Sequence, residues 1–410
     1  MRIIIHDYAG HAFPIDLSRE LARRGHTVVH AYASNLVTPR GDLRKRPSDS
    51  PSLCFKELEM APEYPKVKYS FVKRRRLELN YARLASTWIN DLKPDVVISG
   101  NTPTEVQYKL IKAAHRSDAF FINWIQDLYG LAVDKLIRKK LGPLGLPIGF
   151  YYRWLDNKII RASDHIITIT EDFIPFVIAA GASQLAVTTV PNWAILDEIT
   201  EQPKSNVWAI DENLHESFVF LYTGTLGMKH NPAMLVALAK HFADRPRVKV
   251  VVVSEGQGAN WLADAKASEA LSNIVVLPYQ DFQSLPNVLA TGDVLIAILE
   301  PDAGLFSVPS KVLSYVCAGR ALLVAIPPEN LAAKMVSSSK SGIVVPPADV
   351  GEFLISAEKL YQDSSTRTTM AKNARIYAEE NFRIREIADK FDQILATINV
   401  EKANSGKTVQ

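Results

Sequence analysis

The sequence has little cysteine: Cys54 and Cys317 are the two in 410 residues. They lie far apart and neither has metal-ligand spacing, so neither a disulfide framework nor a zinc site is indicated. A reducing, cytoplasmic setting is expected. Long hydrophobic runs are also missing, and none approaches the roughly eighteen residues needed to span a bilayer. The opening Met1-Arg2-Ile3-Ile4-Ile5-His6-Asp7 is interrupted by charge too soon for a signal peptide, and reads as a buried strand. Charge of one sign is scarce as well. The net charge of +3 implies no polyanionic partner, and with no recognised nucleic-acid motif present, nucleic acid is not an expected ligand.

What is present is the composition of a globular enzyme, 47% apolar and 22% charged, in a chain long enough for two cores. Three basic clusters fall early: Arg44-Lys45-Arg46, Lys73-Arg74-Arg75-Arg76 and Arg138-Lys139-Lys140. Each alone reads as solvated surface, but three on one half favour an anionic lipid or phosphate. Short β-rich runs at Arg2–His6, Thr27–Tyr32, Asp95–Gly100, Ala119–Ile125 and His165–Thr170 alternate with helical spacing. Residues 201–216 are polar and aperiodic and read as a linker. The alternation then restarts at Ser217–Thr223, Val248–Ser254, Ile274–Leu277, Val294–Leu299, Ala321–Ala325 and Gly342–Val345, and Ser364–Ile398 reads as helical throughout. The pattern predicts an α/β fold of two Rossmann-like, doubly wound parallel sheets facing across a cleft. Residues 1–200 form the first domain and 201–381 the second. Ligands of such sheets sit at the carboxyl ends of the strands.

Three turns carry chemistry. Gly224-Thr225-Leu226-Gly227 follows a strand and leads through Lys229 into a helix, where free N–H groups favour a phosphate. An ordinary βα turn with a surface lysine is the alternative. Ser254-Glu255-Gly256-Gln257-Gly258 occupies the same position after the next strand. Pro309-Ser310-Lys311 looks like a helix start, with Ser310 as N-cap or first-turn residue and Lys311 in the first turn. A lysine there opposes the helix dipole, which suggests an anionic ligand, though a solvated lysine stays open.

These segments resemble family four of the retaining glycosyltransferases, which have the GT-B fold. Ser307–Arg320 is similar to the Pro-Ser-Lys and Ala-Gly-Arg signature of the polysaccharide-assembly branch, whose members build capsule, O-antigen or colanic-acid repeats. Arg24-Gly25-His26 resembles the family's Arg-Gly-His element, Pro191-Asn192 its Pro-Asn, and Tyr222–Gly227 its donor loop. The resemblance implies that the second domain binds a UDP- or GDP-sugar, with Lys229 and Lys311 on the diphosphate and Glu255 and Gly256 near the nucleoside. It implies that residues 382–398 pack back on the first domain, and that no metal or cofactor is needed. The sequence departs from the family's paired glutamates: Phe306 and Ser314 stand in their places, as serine does in some members.

On the first domain, Gly10 and His11 follow a strand and are candidates for the acceptor side, with His6 and Asp7 weaker ones. Asp127 matches an aspartate of the branch and suits contact with the acceptor hydroxyl or donor sugar. A helix N-cap is the alternative. Leu136–Arg161 sets basic residues beside an apolar, aromatic stretch that suits the interface of an anionic membrane, or else burial against the domain. A lipid-linked saccharide acceptor would make the membrane reading coherent. A nucleotide-sugar 2-epimerase and a non-catalytic nucleotide-sugar-binding subunit are the rival readings.

Overall fold

The structure, a computed structural model, describes residues 1–36, 38, 40–67, 70–227, 230–301 and 309–405, with side chains through 398. The chain forms two compact units, Met1–Asn192 with Ile384–Gln410, and Trp193–Arg383.

Among the described residues, the first unit holds a seven-stranded sheet in the order β3-β2-β1-β4-β5-β6-β7. These strands are β1 (Arg2–Asp7), β2 (Thr27–Ala33), β3 (Leu53–Leu58), β4 (Val96–Gly100), β5 (Phe120–Ile125), β6 (His165–Thr168) and β7 (Val187–Thr189). Every pairing is parallel, β1 joining β2 on one side and β4 on the other. The central β1 and β4 are buried on both faces, as a sheet covered by helices on both sides requires. The sequence pattern missed β3 and β7. The edge strand β3 puts exposed Cys54, Lys56 and Glu57 among its six residues, and β7 has only three. Neither offers a continuous apolar run.

Among the described residues, the second unit holds a six-stranded parallel sheet in the order β10-β9-β8-β11-β12-β13. Its strands are β8 (Phe218–Thr223), β9 (Val248–Val253), β10 (Ile274–Leu277), β11 (Val294–Ile298), β12 (Ala321–Ala325) and β13 (Gly342–Val345). All six lie where the apolar runs put them. In each sheet the order reverses beside the first strand, between β1 and β4 and between β8 and β11. Those two places are the topological switch points where doubly wound sheets take ligands.

The C-terminal segment is not one helix. Ser364–Asn381 stops, and Ile384–Ser405 begins after Phe382 and Arg383. The chain passes from the second unit to the first at this break. Arg24 fixes the last helix to the first unit: its guanidinium donates to Asp389 Oδ1 (2.7 Å), Asp392 Oδ2 (2.6 Å) and the Arg385 carbonyl (2.6 Å). His26 Nε2 lies 3.2 Å from Asp392 Oδ1. The Arg-Gly-His element therefore does a structural job.

Leu136–Arg161, expected as a connection, is a helical hairpin: Tyr129–Leu141, a short turn Gly142–Gly145, and Leu146–Ala162. Its tip is uncovered, with Leu144 82% and Phe150 71% exposed. Arg138 is not wholly free for a partner, since its Nε lies 2.6 Å from Asp134 Oδ1. Among the described residues no helix is long and apolar enough to cross a membrane.

Candidate functional site

At the switch point of the first unit, a cavity of about 410 Å³ opens at the ends of β1, β4 and β5. His11, Asn101, Gln126, Asp127 and Asp156 line it. The chain leaves β1 through Gly10 and turns into the helix Ala12–Arg23, with His11 in extended backbone at its N-cap. The His11 side chain does not cap that helix but reaches back to Asp7, its Nδ1 3.1 Å from Oδ1. The His11 backbone N–H also donates to Asp7, and Asn101 Nδ2 donates to Asp7 Oδ1 at 3.1 Å. Asp7 is buried at the end of β1. Burial alone would favour its neutral form, but His11 and these hydrogen bonds outweigh that and hold the carboxyl near 2. Burial likewise opposes charge on His11, yet Asp7 first and Asp127 after it raise its pKa above the ordinary value. His11 thus lies at the mouth of the cavity with its charged form favoured by Asp7 in contact and by the charge of Asp127. Two other histidines near Asp7 behave oppositely: burial drives His6 and His30 down to about 4, so they stay neutral.

Asp127 sits exposed in the turn after β5. It does not occupy the N-cap of Tyr129–Leu141; Leu128 does, without a side-chain cap. Asp156, from the second hairpin helix, accepts from the Gly130 N–H at 2.6 Å and meets that helix end instead. A Cβ on residue 130 would fall 2.4 Å from Asp156 Oδ2, so only glycine lets the carboxylate in. Burial pushes the Asp156 carboxyl up to about 6, against the pull of Gly130. Beside Asp127, Gln126 Oε1 accepts from Asn192 Nδ2 at 2.6 Å, which gives the Pro-Asn element a local role. Asn101 and Asp156 escaped the sequence reading. Asn101 follows β4 as the β1 turn follows its strand, a positional signal. Asp156 lies mid-helix and gives none.

The second unit builds its own constellation at the β8–β11 switch point. Gly224 leaves β8 in left-handed backbone (φ +87°), where a side chain would be strained. A Cβ at this position would stand 3.6 Å from Lys311 Cε. The Lys311 ammonium lies 3.5 Å from the centroid of the Tyr222 ring, a cation–π contact that fixes it beside the loop. The helix Lys311–Cys317 starts after Ser310, which is already helical and makes no side-chain cap, so Lys311 stands in the first turn as the sequence implied. Tyr315 on the buried face ties this helix to the sheet. Its hydroxyl accepts from the Thr223 N–H (2.9 Å) and donates to the Ile296 carbonyl (3.2 Å).

Around the loop, Tyr222 OH donates to the Thr225 carbonyl (2.9 Å), Thr225 Oγ1 meets Tyr279 OH (3.0 Å), and the Gly227 N–H donates to His230 Nδ1 (2.9 Å). Glu255 Oε1 accepts from the Tyr279 N–H at 3.4 Å, and Gly256 is the N-cap of Gln257–Ser268. Ser314 is partly buried on the next turn after Lys311. Lys229 and Phe306 lie outside the described residues. The sequence reading weighed glycines and charges here; Tyr222 and Tyr315 entered it only within the resembling segments, and Tyr279 not at all. Arg320 of the Ala-Gly-Arg signature is structural: its guanidinium donates to the carbonyls of Ala290 (2.9 Å) and Gln202 (2.9 Å).

Two sequence families match the chain. "Glycosyl transferase 4-like domain" matches residues 15–193 and "Glycosyl transferases group 1" matches residues 217–363. The Escherichia coli K12 protein "Putative colanic acid biosynthesis glycosyl transferase WcaI" is 24% identical over 159 residues, 38% of this chain and 39% of that protein. The match thus spans well under half of either. Among solved structures, Anabaena HepE in complex with UDP and glucose has a TM-score of 0.69 at 14% identity, covering 97% of this chain and 99% of that one. WaaG, a glycosyltransferase involved in lipopolysaccharide biosynthesis, has a TM-score of 0.66 at 15% identity, covering 94% and 98%. Likeness at these identities is likeness of fold.

Proposed function

This chain belongs to the family-four glycosyltransferases and has their GT-B fold, and on that premise we propose that it moves a sugar from a nucleotide-sugar donor to a saccharide acceptor in bacterial surface-polysaccharide synthesis. The observation that carries the reading is the Lys311 ammonium held over Tyr222 beside the open Gly224 turn, at the switch point of the second sheet. Such a place suits a diphosphate, which gains charge-assisted hydrogen bonds there. Lys311 and Lys229 take the two phosphates. Thr225 and Gly227 bring backbone to them, Glu255 and Gly256 approach the nucleoside, and Ser310 and Ser314 face the ribose and sugar. Anabaena HepE was solved with UDP and glucose, which supports trying UDP-sugars before GDP-sugars.

Transfer proceeds with retention. The bond from the anomeric carbon to the diphosphate oxygen breaks, a bond to the acceptor oxygen forms on the same face, and the acceptor proton passes to the leaving diphosphate. Stabilising that leaving group is then the main catalytic contribution of the protein. Gly10, His11 and Asp127 serve the acceptor side, with the first unit as the acceptor domain and the second as the donor domain. The reaction so written calls for neither metal nor cofactor. The acceptor is lipid-linked and the enzyme works peripherally at the inner membrane face. The uncovered hairpin tip with Leu144 and Phe150 supports that part.

Purified protein incubated with UDP- and GDP-sugars and a lipid extract tests the reading. A sugar-bearing lipid with the anomeric configuration of the donor is the expected product. Release of a 2-epimer without acceptor would mark an epimerase instead. Donor binding with no turnover under any acceptor would mark a non-catalytic subunit.

A further inference from the structure

On the first unit, away from the cavity at the ends of β1 and β4, two grooves of about 770 and 650 Å³ run along the helix Phe71–Leu92. Both are lined by Arg75, Leu79 and Arg83, spaced four apart on one face, and by Tyr151 from the second hairpin helix, so they adjoin as two parts of a trough along that helix. Their volumes fall in the range of ligand sites, about 300–1,000 Å³. The walls are of two kinds. One end is apolar, with Phe71, Val72, Pro147 and Ile148, and Val72 is 76% exposed. Along the trough the charge is almost wholly positive, from Arg75, Arg76, Arg83, Lys109, Lys112 and Arg116.

Among the described lining residues the one carboxylate, Glu105, is already engaged. It accepts from Arg75 Nε at 2.8 Å and from Tyr152 OH at 3.0 Å. Arg76 and Arg83 are exposed and have no carboxylate partner among the described residues. Guanidinium groups gathered without counter-charge suit phosphate, which they bind in bidentate fashion. An apolar wall continuous with them suits hydrocarbon.

We infer that this trough is a binding site for a phosphate carried on a long apolar chain, with the phosphate on Arg76 and Arg83 and the chain along Phe71, Val72 and Ile148. The inference rests on the proposed lipid-linked acceptor and gives its anchor a place. The helices Thr104–Arg116 and Leu146–Ala162 border both the trough and the cavity holding His11 and Asp127. A chain anchored in the trough would present its saccharide to the same unit.

Isothermal titration of the full-length protein with farnesyl diphosphate tests this, with inorganic pyrophosphate and farnesol as separate arms. The wild type should bind farnesyl diphosphate at least tenfold more tightly than either fragment. Arg76→Glu/Arg83→Glu should lose at least tenfold, and the milder Arg76→Ala/Arg83→Ala a smaller factor, with the thermal midpoint held. Leu185→Asp, exposed on the same unit and outside the trough, should keep wild-type affinity. Equal binding by wild type and both double variants would overturn the site, as would pyrophosphate binding as tightly as the amphiphile. No binding by wild type would overturn it too. A donor-induced thermal shift measured on the same wild-type sample separates this outcome from failure of the transferase reading.

Discussion

On the proposed reading, Asp127 and His11 of the first unit serve the acceptor, and each carries a test. Asp127 stands in the turn after β5 and leaves the N-terminus of Tyr129–Leu141 to Leu128 and Asp156. If it positions the acceptor hydroxyl or the sugar, Asp127→Asn should lower kcat by about 10²-fold or more with donor affinity nearly unchanged. A lower thermal midpoint with normal kcat would show a structural role instead. His11 gives a pH signature. Its folded pKa is raised because Asp7 and Asp127 outweigh burial, so the stability it contributes is full below about 6.5 and fades as pH rises through the raised value. If the imidazolium serves transfer, kcat/KM should fall on the alkaline side as that proton leaves. Asp7→Asn should then move the alkaline limb toward lower pH. A limb unmoved by Asp7→Asn would detach His11 from the profile.

At the scale of elements, the hairpin and the last helix each carry a test. The hairpin tip exposes Leu144 and Phe150, and each buried apolar Å² adds roughly 25 cal/mol while each basic residue near an anionic leaflet adds about 1 kcal/mol. Co-sedimentation with anionic vesicles should drop sharply for Leu144→Asp/Phe150→Asp and fall with added salt. It should drop less for Arg138→Glu/Lys139→Glu/Lys140→Glu, because Asp134 already holds Arg138. Equal sedimentation of all three proteins would remove this docking surface. For the last helix, Arg24→Ala should cost about 1–2 kcal/mol, discounted because Asp389 is largely exposed, and should speed proteolysis near the helix Ile384–Ser405. Unchanged digestion would contradict the clasp.

Elements also differ in how plainly the sequence announces them. Buried parallel strands such as β4 and β11 are near-continuous apolar runs and could be placed to within a residue or so. The edge strand β3 could not, because its exposed charges break every apolar pattern. Residues 364–398 keep one helical character on both sides of Phe382 and Arg383, so the break between units leaves no periodic trace.

Over the whole molecule, the doubled strand-helix alternation made the two-sheet fold legible, and the strand order marks the two switch points. Glycines and lysines after strands pointed to the turn at Gly224 and to Lys311. The aromatic framework around them did not show, since nothing in the sequence marks what the hydroxyls and ring faces of Tyr222 and Tyr315 meet. Asp156 shows the same limit, a mid-helix carboxylate that only the fold brings to Gly130. The central claim is that Lys311 holds a donor diphosphate during transfer. The most direct test is kcat/KM for sugar transfer by wild type and Lys311→Ala, using the best donor from the UDP- and GDP-sugar panel. Loss of one or two charge-assisted hydrogen bonds, each worth about 1.5–3 kcal/mol, predicts a fall of at least tenfold, and of at least about a hundredfold if both are lost, in a protein with an unchanged thermal midpoint. Near-normal kcat/KM in well-folded Lys311→Ala would contradict the account.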